Sequence, residues 1–197
     1  MNLRTLLAVL FVVAVAACFT APAFTEEPAA PHGDPMTEAM KALGTPGPDH
    51  AWMGFMVGSW DVAAKFWMGP GEPQTSTGQM ESHWMMGRRF VRSIYLGDMD
   101  GEAFRGEATM GFSNATSQYE SAWMDSMSTS ISRGTGKRDG DSMVLTGSNV
   151  FPMMGGEIPF RTVYTKKSDD QYVMESYWTI PDMGEMKGME LTFTRAK

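Results

Sequence analysis

The sequence predicts an all-β fold: a ten-stranded antiparallel up-and-down barrel preceded by short helices. Three observations predict it. From Gly58 onward, short runs of aromatic and β-branched residues are separated by turn signals about every 8 to 15 residues. No stretch between these runs is long enough for a helical crossover, so neighbouring strands should be antiparallel. Ten such strands either leave two exposed edges or close on themselves, and closure removes the edges.

At the N-terminus, residues 1–17, MNLRTLLAVLFVVAVAA, place Arg4 before an apolar run from Leu6 to Ala17. That run is shorter than the about 20 residues a bilayer requires, so it reads as a signal peptide. Val15-Ala16-Ala17-Cys18 resembles a bacterial lipobox, which would make Cys18 the lipid-modified N-terminus. The alternative is cleavage after Ala21-Pro22-Ala23 and release as a free protein. Cys18 is the only cysteine, so no intramolecular disulfide can form. Residues 18–48 are rich in Pro and Ala and form a tether, in which 36–43 can make two helical turns ending at Gly44. Asp49 is placed to cap a short helix carrying Trp52, Phe55 and Met56 and stopping at Gly58.

The barrel domain is expected over 49–197. Its strands are predicted near 58–68, 74–86, 88–97, 102–112, 117–125, 128–137, 142–150, 157–168, 171–180 and 185–196. Asp100-Gly101 and Asp139-Gly140 are two-residue hairpin signals, and 113–116 (SNAT) and 168–170 (SDD) are turn sequences. Asn114-Ala115-Thr116 matches a glycosylation sequon, but in a tight turn it reads as turn chemistry. Alternation assigns faces: Trp60, Val62, Ala64, Phe66 and Met68 share one, Asp61 and Lys65 the other. Phe104, Ala108, Met110 and Phe112 share a face in the fourth strand.

Composition excludes several functions. With 43% hydrophobic residues the chain can bury a core, and at 20% charged it is not disordered by composition. A net charge of −7 without a basic cluster gives no footprint for nucleic acid. It also disfavours anionic lipid surfaces, so contact with a membrane is expected only through an anchor at Cys18. Nothing in the sequence bears on oligomeric state.

No catalytic constellation is nominated. The three histidines, His32, His50 and His83, lack metal-ligand spacing, and no Gly-x-Ser-x-Gly elbow accompanies them. No metal site is expected from them. Twenty methionines raise soft-metal binding, but Met183, Met186 and Met189 are three apart, which on an unbroken strand puts neighbours on opposite faces. They read as adaptable core filler. Nothing brings Glu81, Asp125 and Glu175 together as paired acids, and the glycine-rich run at 132–140 lacks P-loop spacing.

Four segments together resemble one bacterial family, the domain of unknown function 1579. They are Gly58-Ser59-Trp60, GPGEPQTSTGQMESHWMMGRRFV from Gly69, MGFSNATSQYESAWMDSMST from Met110, and the closing MELTFTRAK. The resemblance covers roughly 49–197 and implies a lipocalin-like or nitrobindin-like barrel of unestablished activity. Gly58-Ser59-Trp60 is similar to the Gly-x-Trp that opens lipocalin-like barrels, where the Trp packs at the closed end under an Arg of the last strand. Arg195 is the matching residue here. Haem is the one cofactor that the resemblance raises, because nitrobindin-type barrels hold it through a late histidine. No histidine comes after His83, which counts against it.

The expected function is binding of a small apolar molecule inside the barrel. The alternative is a structural or interaction module whose barrel is filled by its own side chains. In YESAWMD, Tyr119, Ser121, Trp123 and Asp125 share a face, with Asp125-Ser126 at a barrel rim. The candidate lining is Trp123 and Asp125 with Tyr95, His83, Arg161, Glu175 and Tyr177. About half of this group is expected to face inward, because the register at 168–170 decides the faces of Arg161 and Glu175.

Overall fold

The protein is seen here as a computed structural model that describes residues 34–99, 101–152 and 156–197. The segment expected to be a signal peptide, Cys18 and most of the expected tether lie outside the described residues, as do Asp100 of the first hairpin signal and residues 153–155. Ten strands form the barrel: β1 (Gly58–Phe66), β2 (Gln74–Met85), β3 (Phe90–Met99), β4 (Glu102–Ser113), β5 (Gln118–Asp125), β6 (Ser132–Asp139), β7 (Ser142–Phe151), β8 (Gly156–Lys166), β9 (Gln171–Ile180) and β10 (Gly184–Arg195). Each pairs antiparallel with the next, and β10 closes the barrel against β1 with Trp60 opposite Arg195.

The boundaries agree with the sequence reading to within a few residues, and three of the differences have a local reason. β3 starts at Phe90 instead of 88 because Met86, Gly87 and Arg88 all take positive φ, a left-handed turn that no strand can contain. β6 starts at Ser132 instead of 128 because the polar run before it bonds to itself. Asp125 accepts the Met127 N–H, and the Ser128 hydroxyl accepts the Ser130 N–H. β1 ends at Phe66, so Met68 does not share the inner face but stands 83% exposed in the adjoining loop.

One end of the barrel is closed from beneath. Helix α2 (Pro48–Trp52) runs into a 3₁₀ turn, Met53–Met56, whose Met53, Phe55 and Met56 are buried. Asp49 does not cap α2: Pro48 already occupies its first turn, and the Asp49 carboxylate instead accepts the Tyr119 hydroxyl at 3.0 Å. At the cap, His50 Nδ1 accepts the Gly47 N–H, and its ring meets Phe112 edge-on at 5.6 Å. The Trp60 indole donates to the Met56 carbonyl at 2.9 Å, tying the turn to β1. Tyr172 stacks on Phe193 at 4.1 Å and meets the edges of both Trp60 and Phe55. Such aromatic contacts contribute about 0.5–1.5 kcal/mol each beyond area burial.

Helix α1 (Pro35–Gly44) docks by its C-terminal end. The Asn114 side-chain amide donates to the carbonyls of Ala42, Leu43 and Thr45, and Arg89 Nε donates to Gly44 O at 2.9 Å. Carbonyls at a helix end lack the usual intrahelical partner, and apart from the Ala42 carbonyl, which also accepts the Thr45 N–H at 3.3 Å, these draw theirs from the barrel. The sequon at Asn114 is therefore a joint between the β4–β5 turn and α1.

Candidate functional site

The alternation of each strand divides the interior into two halves. Near the closed end the inward residues are buried: Trp60, Val91, Tyr119, Met143, Leu145, Tyr172 and Phe193. Near the open end most inward residues, Phe66, Phe104, Trp123, Asp125, Phe160, Trp178 and Met189, are only half-buried, although Tyr95 and Ile158 among them are buried. Groups that point inward and are still wetted define a cup open at one end.

The wall of this cup pairs rings with glycines. A Cβ on Gly106 would collide with the Trp123 ring, on Gly78 or Gly97 with Tyr95, on Gly147 with Phe160, and on Gly188 with Trp178. Each ring thus lies along the wall over a strand with no side chain of its own there. Buried Met80, Met110 and Met174 fill the level below. Buried inner hydroxyls bond in pairs across strands, Ser82 to Ser93 at 2.8 Å and Thr162 to Ser176 at 2.5 Å. No polar atom is left unsatisfied among the buried side chains of the described residues.

Tyr95, Trp123 and Asp125 face the cup. Tyr95 meets Phe104 edge-on at 5.8 Å, and Phe104 stacks loosely on Trp123 at 6.4 Å. Burial raises the Tyr95 phenol above its ordinary range against the hydrogen bond with Ser76, so it stays a neutral donor. The Trp123 indole donates to Asp125 Oδ2 at 2.9 Å, while Asp125 Oδ1 accepts the Met127 N–H. Ser126 exchanges bonds with the Arg105 backbone, closing the end of β5. The Asp125-Ser126 step is therefore both a capped strand end and a carboxylate at the mouth.

The other four candidates are corrected to the outer wall. His83 lies between inward Ser82 and Trp84, so its side chain points out, 70% exposed, 3.7 Å from Glu81. Arg161, Glu175 and Tyr177 alternate with the inward Thr162, Ser176 and Trp178. They belong to a chain of charges over four strands. Lys65 pairs with Glu190, Lys187 with both Glu190 and Glu175, and Arg161 with Glu185 while lying 4.2 Å over the Tyr177 ring. Sequence reasoning missed this network. Opposite charges at alternate positions of neighbouring strands are its signal, but reading it needs the register.

The register holds a further correction. A bulge between Lys187 and Met189 lets Met186 face Trp178 and Met189 face Ser176, so these two methionines share the inner face despite their spacing. Among the described residues no group of three or more His, Cys, Asp or Glu is placed to hold a metal. Two depressions lie outside the cup. One, of about 480 Å³, runs over the outer wall between Asp61, Thr77, Gln79 and Thr192. The other, of about 370 Å³, sits at the closed end between Asp49, Asn114, Tyr119 and Arg138.

Comparison with known proteins bears on the fold. The family described as protein of unknown function (DUF1579) matches residues 45–195. The chain belongs to this family. Among solved structures it is similar to Rv2717c from M. tuberculosis, with a TM-score of 0.53 and 12% identity over 78% of this chain and 100% of that one. It is also similar to the S-type phycobiliprotein lyase CPES from Guillardia theta, with a TM-score of 0.52 and 12% identity over 80% and 97% of the two chains. At this identity the likeness shows a shared barrel fold. No curated protein matches the sequence.

Proposed function

We propose that this member of the family is an exported envelope protein that binds one small, largely apolar molecule in the open half of its barrel. The observation that carries the reading is the difference between the two halves of the inner face. Closed-end residues such as Trp60 and Tyr172 are 1% exposed, while five open-end rings, Phe66, Phe104, Trp123, Phe160 and Trp178, remain within reach of water and Tyr95 is buried beside them. Apolar rings held where water can reach them gain free energy when an apolar guest displaces that water, about 25 cal/mol per Å² covered. The fold match to a phycobiliprotein lyase supports the reading only as far as shared architecture does. Export rests on the signal-like residues 1–17 and the lipobox at Cys18.

Titration with the neutral, apolar dye Nile red tests it. Wild type should show saturable binding with a change in Trp emission, and Trp123→Leu should weaken it. Absence of saturable binding by both proteins would remove the reading.

A second reading is a self-filled structural module. The buried methionines Met53, Met56, Met80, Met110, Met143 and Met174 favour it, because flexible thioethers fill irregular interiors well. It predicts the negative outcome of the same titration.

A further inference from the structure

The charges around the mouth give the cup a sign. Among the described residues, the connections at the open end include 67–73, 126–131 and 181–183, and none of these contains Lys or Arg, whereas Glu72 and Asp182 lie in them. The inner face of the open half also lacks a cation among the described residues. The cations of the nearby outer wall point away from the lumen. Arg105 bonds Glu107, Arg161 bonds Glu185, and Lys187 bonds Glu175 and Glu190, while Arg133 alternates outward between Ser132 and Gly134.

On this face instead are rings and carboxylates: Asp125 beside the rings, and Glu102 at the exposed rim two residues before Phe104. Trp123 and Phe104 stack, Tyr95 stands edge-on to Phe104, and Asp125 is held beside Trp123 by the indole N–H. That bond and the Met127 N–H use one acceptor site on each carboxylate oxygen, and a carboxylate offers about four. An organic cation placed over an indole or phenyl face is attracted by the ring quadrupole, most strongly where water is partly excluded. A carboxylate beside those rings adds to that attraction and repels an anion.

We infer that the guest of this cup is a hydrophobic cation: an apolar body carrying an ammonium group, which settles against Trp123 and Asp125. This rests on the reading of the open half as a binding site and adds the charge of its ligand.

The test compares three probes with one ring body and different heads: 1-naphthylmethylammonium, 1-naphthalenemethanol and 1-naphthaleneacetate. Affinities are measured by calorimetry with the full mature protein at neutral pH and low salt. The ammonium should bind about tenfold more tightly than the alcohol, and the acetate most weakly. Added salt should narrow the spread. Asp125→Asn should erase most of the ammonium preference and leave alcohol binding in place. The wild-type ranking decides the matter even if that variant folds poorly. Equal binding of all three, or tightest binding of the acetate, would overturn the charge preference while the binding site stands. No binding of any of them would overturn both.

Discussion

The Arg195 guanidinium lies 4.3 Å from the centre of the Trp60 ring, joining the first and last strands at the closed end of the barrel. It also donates to the carbonyls of Val57 and Asp169 and to the Asp170 carboxylate. One side chain thus ties the entry to β1, the β8–β9 turn and β10 together. Trp60→Ala should destabilise the protein by about 3–5 kcal/mol, since its indole is buried and bonded. Arg195→Leu should cost less, about 1–3 kcal/mol, because the leucine keeps part of the stem packing and the freed carbonyls can meet water. Urea melts measure both. Equal, negligible effects would contradict a Trp–Arg floor.

Asn114→Ala should leave the barrel melt nearly unchanged and loosen α1. The lost amide removes its bonds to the carbonyls of Ala42, Leu43 and Thr45, of which Ala42 keeps the Thr45 N–H, at about 0.5–1.5 kcal/mol per bond. Hydrogen exchange over 36–44 should accelerate while exchange in β4 and β5 stays slow. Unchanged exchange in α1 would show that Arg89 alone suffices as its anchor.

Gly106→Ala should displace Trp123, because the new methyl falls on its ring and not on a flexible chain end. The expected loss is about 1–3 kcal/mol, with a shift in Trp emission. A melt like wild type with unchanged emission would mean that the ring does not rest on Gly106.

The ion pairs of the outer wall predict acid sensitivity. Hydrogen bonds hold three carboxyls below their usual range: Glu107 through Arg105 and Arg92, Glu185 through Arg161, and Glu190 chiefly through Lys187. A depressed carboxyl stabilises the fold at pH values above its unfolded pKa, about 4.3 for Glu, and loses that contribution as pH falls through the lower folded value. The urea midpoint should therefore hold steady from about pH 7 to 5 and fall below about pH 4. Glu190→Gln should flatten that fall.

Much of this structure was legible in the sequence. Strand order and closure come from alternation and turn residues, and the Trp60–Arg195 pair was expected only through the resemblance of Gly58-Ser59-Trp60 to the opening of lipocalin-like barrels. Trp123 and Asp125 were readable as one face because two residues on one strand need no partner to share a side. Arg161, Glu175 and Tyr177 were not, because both Tyr177 and its neighbour Trp178 are aromatic and neither alone marks the inside. The bulge at Gly188 resets the faces of the rest of β10, and glycine in a strand signals a bulge without saying which face resumes. His83 was within reach: Met80, Ser82 and Trp84 form a period-2 set that leaves it outside.

Lipid attachment has its own test. Cys18→Ala should move the protein from the membrane fraction to the soluble or unprocessed pool, since acyl chains contribute about 0.8 kcal/mol per buried CH₂. A wild-type protein already soluble on fractionation would contradict the anchor.

Whether the open half of the barrel holds a small molecule can be weighed by native mass spectrometry of the protein purified from its own envelope. A binding cup should carry a discrete non-covalent adduct, one per chain, that leaves on unfolding and is depleted in Trp123→Leu. The bare mass of the processed chain, with the same spectrum for wild type and variant, would contradict a ligand-holding barrel.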